Sequence, residues 1–204
     1  DKVLLKDLPS LFGIRDTQEL NRFFNVLAYH TGAEVRPEAL SQRTGIEKNK
    51  IAAYLEYLEA AFLIRRVHRI EDNARRLQRA TTFKVYLTNP SIRAALFGNV
   101  RADDEAIGRL AETALWSQWL HSAAMIDSLH YARWRHGRKD LEVDLVAIDA
   151  KTQAPKFVVE VKWSDSAYDD WTELKGLREF AKRHKLQRAP LVTTLTRSGR
   201  GSEA

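Results

Sequence analysis

Two stretches decide how this chain reads: Leu141-Glu-Val-Asp-Leu-Val-Ala-Ile-Asp-Ala150 and Phe157-Val-Val-Glu-Val-Lys-Trp163. Each is an apolar run that carries charge at alternate positions. Glu142 and Asp144 stand two apart, as do Glu160 and Lys162, and fifteen residues lie between Asp144 and Glu160. Residues i and i+2 of a strand share a face. Two neighbouring strands would therefore gather three carboxylates and one ammonium on one side of a sheet. Carboxylates beside a lysine can hold Mg²⁺ and place a water for attack on a phosphodiester. For Glu160 and Lys162 taken alone, an ion pair at a sheet edge is the simpler explanation.

Working outward, a long helix is expected over Asp104 to Met125, with Asp103, Asp104 and Glu105 suiting its N-terminus. Strands follow at Leu129–Arg135, Leu141–Ile148 and Lys156–Trp163. A helix then runs from Tyr168 to His184, a last strand from Ala189 to Thr194, and a frayed polar tail from Arg197 to Ala204. Helix, three strands, helix, strand makes a small α/β layer.

Upstream, residues 1–10 read as a linker with apolar anchors. Leu20, Phe23, Phe24 and Leu27 recur at helical spacing in Thr17–Tyr29. A short helix, Pro37 to Arg43, opens on a proline whose missing N–H does no harm there. Thr44-Gly45 breaks it. A third helix follows from about Glu47 to Ala61, with Ile51, Leu55, Leu58 and Phe62 as its apolar stripe. Two strands, Phe62–Ile70 and Thr82–Leu87, flank the polar loop Glu71–Thr81. This order is the outline of a winged helix-turn-helix. The third helix would be the recognition helix, offering Lys48, Asn49 and Lys50. The hairpin and wing would offer Arg65, Arg66, Arg75, Arg76 and Arg79 to phosphates. Winged helices also serve as protein-docking modules, and that alternative stays open. All five tryptophans fall after the polar crossing Phe97–Asp104. The expected division is a linker and winged-helix unit over 1–100, a second α/β unit over 101–196, and a flexible tail over 197–204.

The chain has 204 residues, a net charge of +6 and no cysteine. Its pI is near 9.6. That balance favours an acidic partner, with DNA the first expectation. The absence of cysteine excludes disulfides and thiolate metal sites, and it fits a reducing, cytoplasmic compartment. No apolar run approaches the length of a membrane span. No Gly-x-x-x-x-Gly-Lys-Ser/Thr occurs, so no ATP site of that kind is expected.

Asp144, Glu160 and Lys162, with their spacing and element order, resemble the PD-(D/E)xK nuclease superfamily. Val143 stands where that motif has proline. The resemblance implies a restriction-endonuclease-like α/β fold and a site to which a first-helix glutamate, here Glu112, contributes. A second resemblance covers nearly the whole chain. The C-terminal regions of prokaryotic AAA-type ATPases look like a winged helix followed by a degenerate nuclease fold. The matching features are Tyr54-Leu-Glu-Tyr-Leu58 with Phe62-Leu63, Glu112, Trp134-Arg135, Glu142-Val-Asp144 and Glu160-Val-Lys162. These resemblances imply Mg²⁺ or Mn²⁺ held by Asp144, Glu160 and Glu112, with the Val161 carbonyl a further ligand. Lys162 would orient the attacking water and stabilise developing charge. They also imply an ATPase domain N-terminal to this chain as a partner. The alternative is a non-catalytic DNA-binding, regulatory or docking module. Oligomeric state is not legible.

Overall fold

The computed structural model describes residues 2–71, 78–120, 128–186, 188, 190–194 and 198–200. Elements are numbered in chain order. The opening residues, expected as a linker, are helical. A π-helical turn, Val3–Asp7, runs into α1 (Leu8–Phe12), because Leu4 and Leu8 fall on one face and bury against the first core. Next comes α2 (Thr17–Tyr29), whose Asp16 accepts the Glu19 N–H at 2.8 Å and so caps its first turn. A short strand β1 (Glu34–Val35), α3 (Pro37–Thr44) and α4 (Lys48–Ala60) follow. Gly45, at φ 73°, makes the turn between the last two.

The hairpin is β2 (Ile64–Glu71) and β3 (Gln78–Leu87). Phe62 is an exposed left-handed residue ending α4, so the strand starts two positions later than its apolar run does. Two helices come next, α5 (Ser91–Phe97) and α6 (Ala106–Trp119). Then β4 (Leu129–His136), β5 (Lys139–Ile148) and β6 (Pro155–Val161) form an antiparallel meander. The single helix expected over 168–184 is broken. It comprises α7 (Ser166–Asp169), a 3₁₀ turn at Trp171–Leu174 and α8 (Lys175–Arg183), with the Asp170 carboxylate accepting the Thr172 N–H at the break. Strand β7 (Leu191–Thr193) pairs parallel with β6. The expected tail holds β8 (Ser198–Arg200), antiparallel to β7.

The fold class is mixed α/β, as expected. Among the described residues the strands form a single eight-stranded sheet, ordered β1-β3-β2-β4-β5-β6-β7-β8. The sequence division near residue 100 runs across this sheet. Arg69 and Ile70 of β2 pair parallel with Tyr131 and Ala132 of β4. One core holds the N-terminal helices against Phe83, Val85 and Leu87. A second lies under α8, around Val143, Val146, Leu177 and Phe180. The third lies under α6 and draws on both halves of the sequence. There Val67 and Tyr86 meet Trp116, Leu145 and Val159. Tyr86 stacks on Trp116 with ring centroids 5.1 Å apart, both fully buried. Aromatic pairs of this kind contribute about 0.5–1.5 kcal/mol beyond the area they bury. No helix among the described residues is long and apolar enough to cross a membrane.

Candidate functional site

The site forms where α6 crosses the middle of the sheet. Trp116 anchors α6, and one turn earlier Glu112 lies on the same buried face. Thr113 fixes the rotation of the helix, since its hydroxyl lies 3.0 Å from that of Thr31. Below it, β5 carries Glu142 and Asp144. The pairing of β4 with β5 slips here. His130 pairs with Val146 and Ala132 with Val143, so Asp144 and Leu145 together face Tyr131. Two residues opposing one is a β-bulge, which bends a strand and re-aims its side chains. Leu145 still enters the core under α6, while Asp144 joins Glu112 and Glu142. Ligand oxygens of those three residues lie within 4.8 Å of one another.

Of the four expected catalytic residues, Glu112 and Asp144 stand in this group. Glu142, expected only as an assistant, completes it, and Glu160 stands outside it. Glu160 and Lys162 form their own pair at 2.6 Å. That pair adjoins Asp144, whose Oδ2 accepts the Val161 N–H at 2.8 Å. Glu160 is 6% exposed, and its Oε2 is buried with no hydrogen-bond partner among the described residues. Lys162 is the half-exposed member.

Sequence reasoning missed Lys84. It comes from β3 in the first half of the chain and is buried. Its ammonium lies 2.6 Å from Glu112 and 2.5 Å from Glu142. The Tyr86 hydroxyl, on the same strand face, donates to the same Glu112 oxygen. The Tyr131 ring covers Lys84 at 5.2 Å, and the Tyr131 hydroxyl donates to Glu34 at 2.9 Å. Arg133 closes the rim, 3.1 Å from Asp140 and 3.9 Å from Glu142.

The protonation equilibria follow from burial and crowding of like charge. Burial pushes the Glu160 carboxyl up to about 8, with Asp144 adding to the shift and Lys162 opposing it. Burial likewise lifts Glu112 to about 7 against the pull of Lys84. Asp144 is raised by burial, while Lys84 and the Val161 N–H oppose the shift. For Lys84 burial works the other way, but Glu112 and Glu142 outweigh it and hold the ammonium above its usual range.

The expected nucleic-acid contacts are more scattered. Lys48 is paired with Glu38, and Lys50 with Glu19. Both pairs are solvent-accessible and hold their lysines weakly. Arg66 is committed more firmly. Its backbone N–H and its Nε both donate to Glu59, at 2.8 and 2.7 Å. Asn49 is exposed and Arg65 half-buried. Arg75 and Arg76 lie outside the described residues, as does the side chain of Arg79.

Residues 1–103 match the family model described as a domain of unknown function, DUF8612. The match covers half of the 204 residues, and the chain belongs to that family. No curated protein matches the chain, and no solved structure does.

Proposed function

We propose that this chain is a nucleic-acid-associated module, a winged helix joined to a restriction-nuclease-like domain, that cleaves phosphodiesters with a bound Mg²⁺ or Mn²⁺. The observation that carries this reading is Glu160. It is buried, one of its oxygens has no partner among the described residues, and it sits beside Asp144 with Lys162 on its other oxygen. Carboxylate oxygens are the donors that hard divalent cations take.

The charge balance points the same way. With all four carboxylates (Glu112, Glu142, Asp144 and Glu160) ionised, negative charge exceeds that of Lys84, Lys162 and the rim Arg133, and in the metal-free site burial answers the excess by raising Glu112 and Glu160 so that they hold protons. A buried charge without a counter-ion is costly, and one divalent cation would cancel this excess. Asp144 and Glu160 would hold it, and the cation would supply Lewis-acid polarisation of a phosphate oxygen. Lys162, at the solvent side, offers an ammonium to the phosphate and to the charge that develops on it. Asp144 is held in place by the Val161 N–H.

One observation favours a second reading, a non-catalytic docking module such as the C-terminal part of an AAA-type ATPase. The Lys84 ammonium already pairs with two of the acids, as a purely structural cluster would require.

The test is incubation with linear duplex and single-stranded DNA in Mg²⁺ or Mn²⁺, beside Lys162→Ala and Glu160→Gln. Cleavage by the wild type that falls at least a hundredfold in both variants supports catalysis. Cleavage that survives both substitutions, or none in the wild type, overturns it.

A further inference from the structure

The acids divide into two poles. Glu112 and Glu142 share the Lys84 ammonium, at 2.6 and 2.5 Å. At the other pole Asp144 adjoins Glu160, whose buried Oε2 has no partner among the described residues. Oxygen ligands of Glu112, Glu142 and Asp144 lie within 4.8 Å of one another, a spacing that would suit a cation of its own. In this chain a tethered ammonium already lies against two of the three.

We propose that Lys84 is the built-in cation of the Glu112–Glu142 pole, and that it limits the centre to one divalent ion where these acids could otherwise take two. The inference rests on the metal-dependent reading above and adds the stoichiometry that Lys84 imposes. Three features make Lys84 more than an incidental ion pair. It is 5% exposed, so little water screens it. Tyr86, two residues on, donates to the same Glu112 oxygen and fixes that carboxylate for the ammonium. The Tyr131 ring lies over Nζ at 5.2 Å, and an aromatic face attracts a cation there. Being covalently tethered, this cation cannot be chelated. It also makes the centre composite, since β3 belongs to the family-matched first half and the other ligands to the second.

Lys84 acts through Glu112 and Glu142 as a positioning residue, so the experiment counts ions. Mn²⁺ is titrated into wild type, Lys84→Met and Glu160→Gln, with free Mn²⁺ read by electron paramagnetic resonance. The wild type should bind one ion per chain, Lys84→Met two, and Glu160→Gln should bind at least tenfold more weakly than wild type. Lys84→Met takes the buried counter-charge away from Glu112 and Glu142 and so risks misfolding. The double variant Lys84→Met/Glu112→Gln removes one of those carboxylates while keeping Glu142 and Asp144, and it should also take a second ion. Mn²⁺ should raise the Tm of either Lys84 variant by more than it raises that of the wild type. One ion in every Lys84 variant, with a wild-type Tm response, overturns the inference and leaves the metal reading standing. No ion in the wild type but one in Lys84→Met keeps Lys84 as the resident cation and overturns metal dependence in the native chain. No ion in either overturns both.

Discussion

Replacing Gly176 with alanine tests how closely α8 lies on the strand that carries the acids. A Cβ built at this position meets the Glu142 carbonyl oxygen at 2.5 Å and its nitrogen at 3.3 Å. Ordinary contact begins at 3.4 Å, so helix and strand must separate by about 0.9 Å. The atoms met are backbone, which cannot swing aside as a flexible side chain would. Overpacking of this kind costs about 1–3 kcal/mol, and the helix propensity of alanine returns up to about 1 kcal/mol. With a full return of about 1 kcal/mol the net loss is about 0–2 kcal/mol, or a fall in Tm of up to roughly 8 °C for a chain of this size. Gly108, inside α6, provides the control. A Cβ there meets nothing within 4 Å and the φ is ordinary, so Gly108→Ala should raise Tm by about 2–4 °C. The difference between the two variants isolates the contact from propensity. Differential scanning fluorimetry on both is sufficient. If Gly176→Ala is as stable as Gly108→Ala, α8 does not seat on the backbone of Glu142, and the close approach of helix to strand is wrong.

Two further outcomes are expected. The Glu112 and Glu160 carboxyls are pushed from 4.5 to about 7 and about 8, so the folded metal-free protein binds protons that the unfolded chain has released. Their contribution to stability is full below pH about 4.5 and is lost as pH rises through about 7–8; a Tm that is flat or rising over that window, or that Mn²⁺ fails to restore at the upper end, contradicts the assignment. Thr31 accepts the Leu87 N–H at 3.1 Å and meets the Thr113 hydroxyl at 3.0 Å. Thr31→Val should therefore lower urea stability by about 1–3 kcal/mol with an unchanged m-value, and an unchanged midpoint would show that this buried bond carries no net stability.

Much of the fold was legible because most of the elements bury one face and leave the other to solvent. The stripe of α2 and the meander of β4, β5 and β6 were read from periods of 3.6 and 2. Asp144, Glu160 and Lys162 were singled out because acids and a lysine interrupt apolar runs at a recognisable spacing, and Glu112 only because the resemblance implies a first-helix glutamate. Lys84 was not found, for a physical reason. In Thr82-Phe-Lys-Val-Tyr-Leu87 the alternation reads as an amphipathic strand with a wet face. Both faces of β3 are covered, one by the N-terminal helices and the other by α6, and Thr82, Lys84 and Tyr86 are all buried. Sequence alternation cannot tell a solvated lysine from one facing distant carboxylates. The tyrosine two positions on was the available hint. The bulge at Asp144 was invisible for a similar reason, since it depends on the register of a partner strand. The break at Asp170 was local and more readable, because Asp169-Asp170 suits a cap better than a helix interior.

The pairing of β2 with β4 bears on how this protein can be divided. A chain cut at residue 103, where the family match ends, would keep the hairpin but strip the neighbour from β2. The Arg69–Ile70 backbone would become an open edge, the kind of surface that recruits stray strands into aggregates or swapped dimers. Val67 and Tyr86 would lose their cover, and Lys84 would be left without either carboxylate. In this protein the stretch that the family match covers is therefore shorter than the stretch that shares one sheet and one core. A solubility screen of truncations should find its first well-behaved fragment only after β4 and β5 are included.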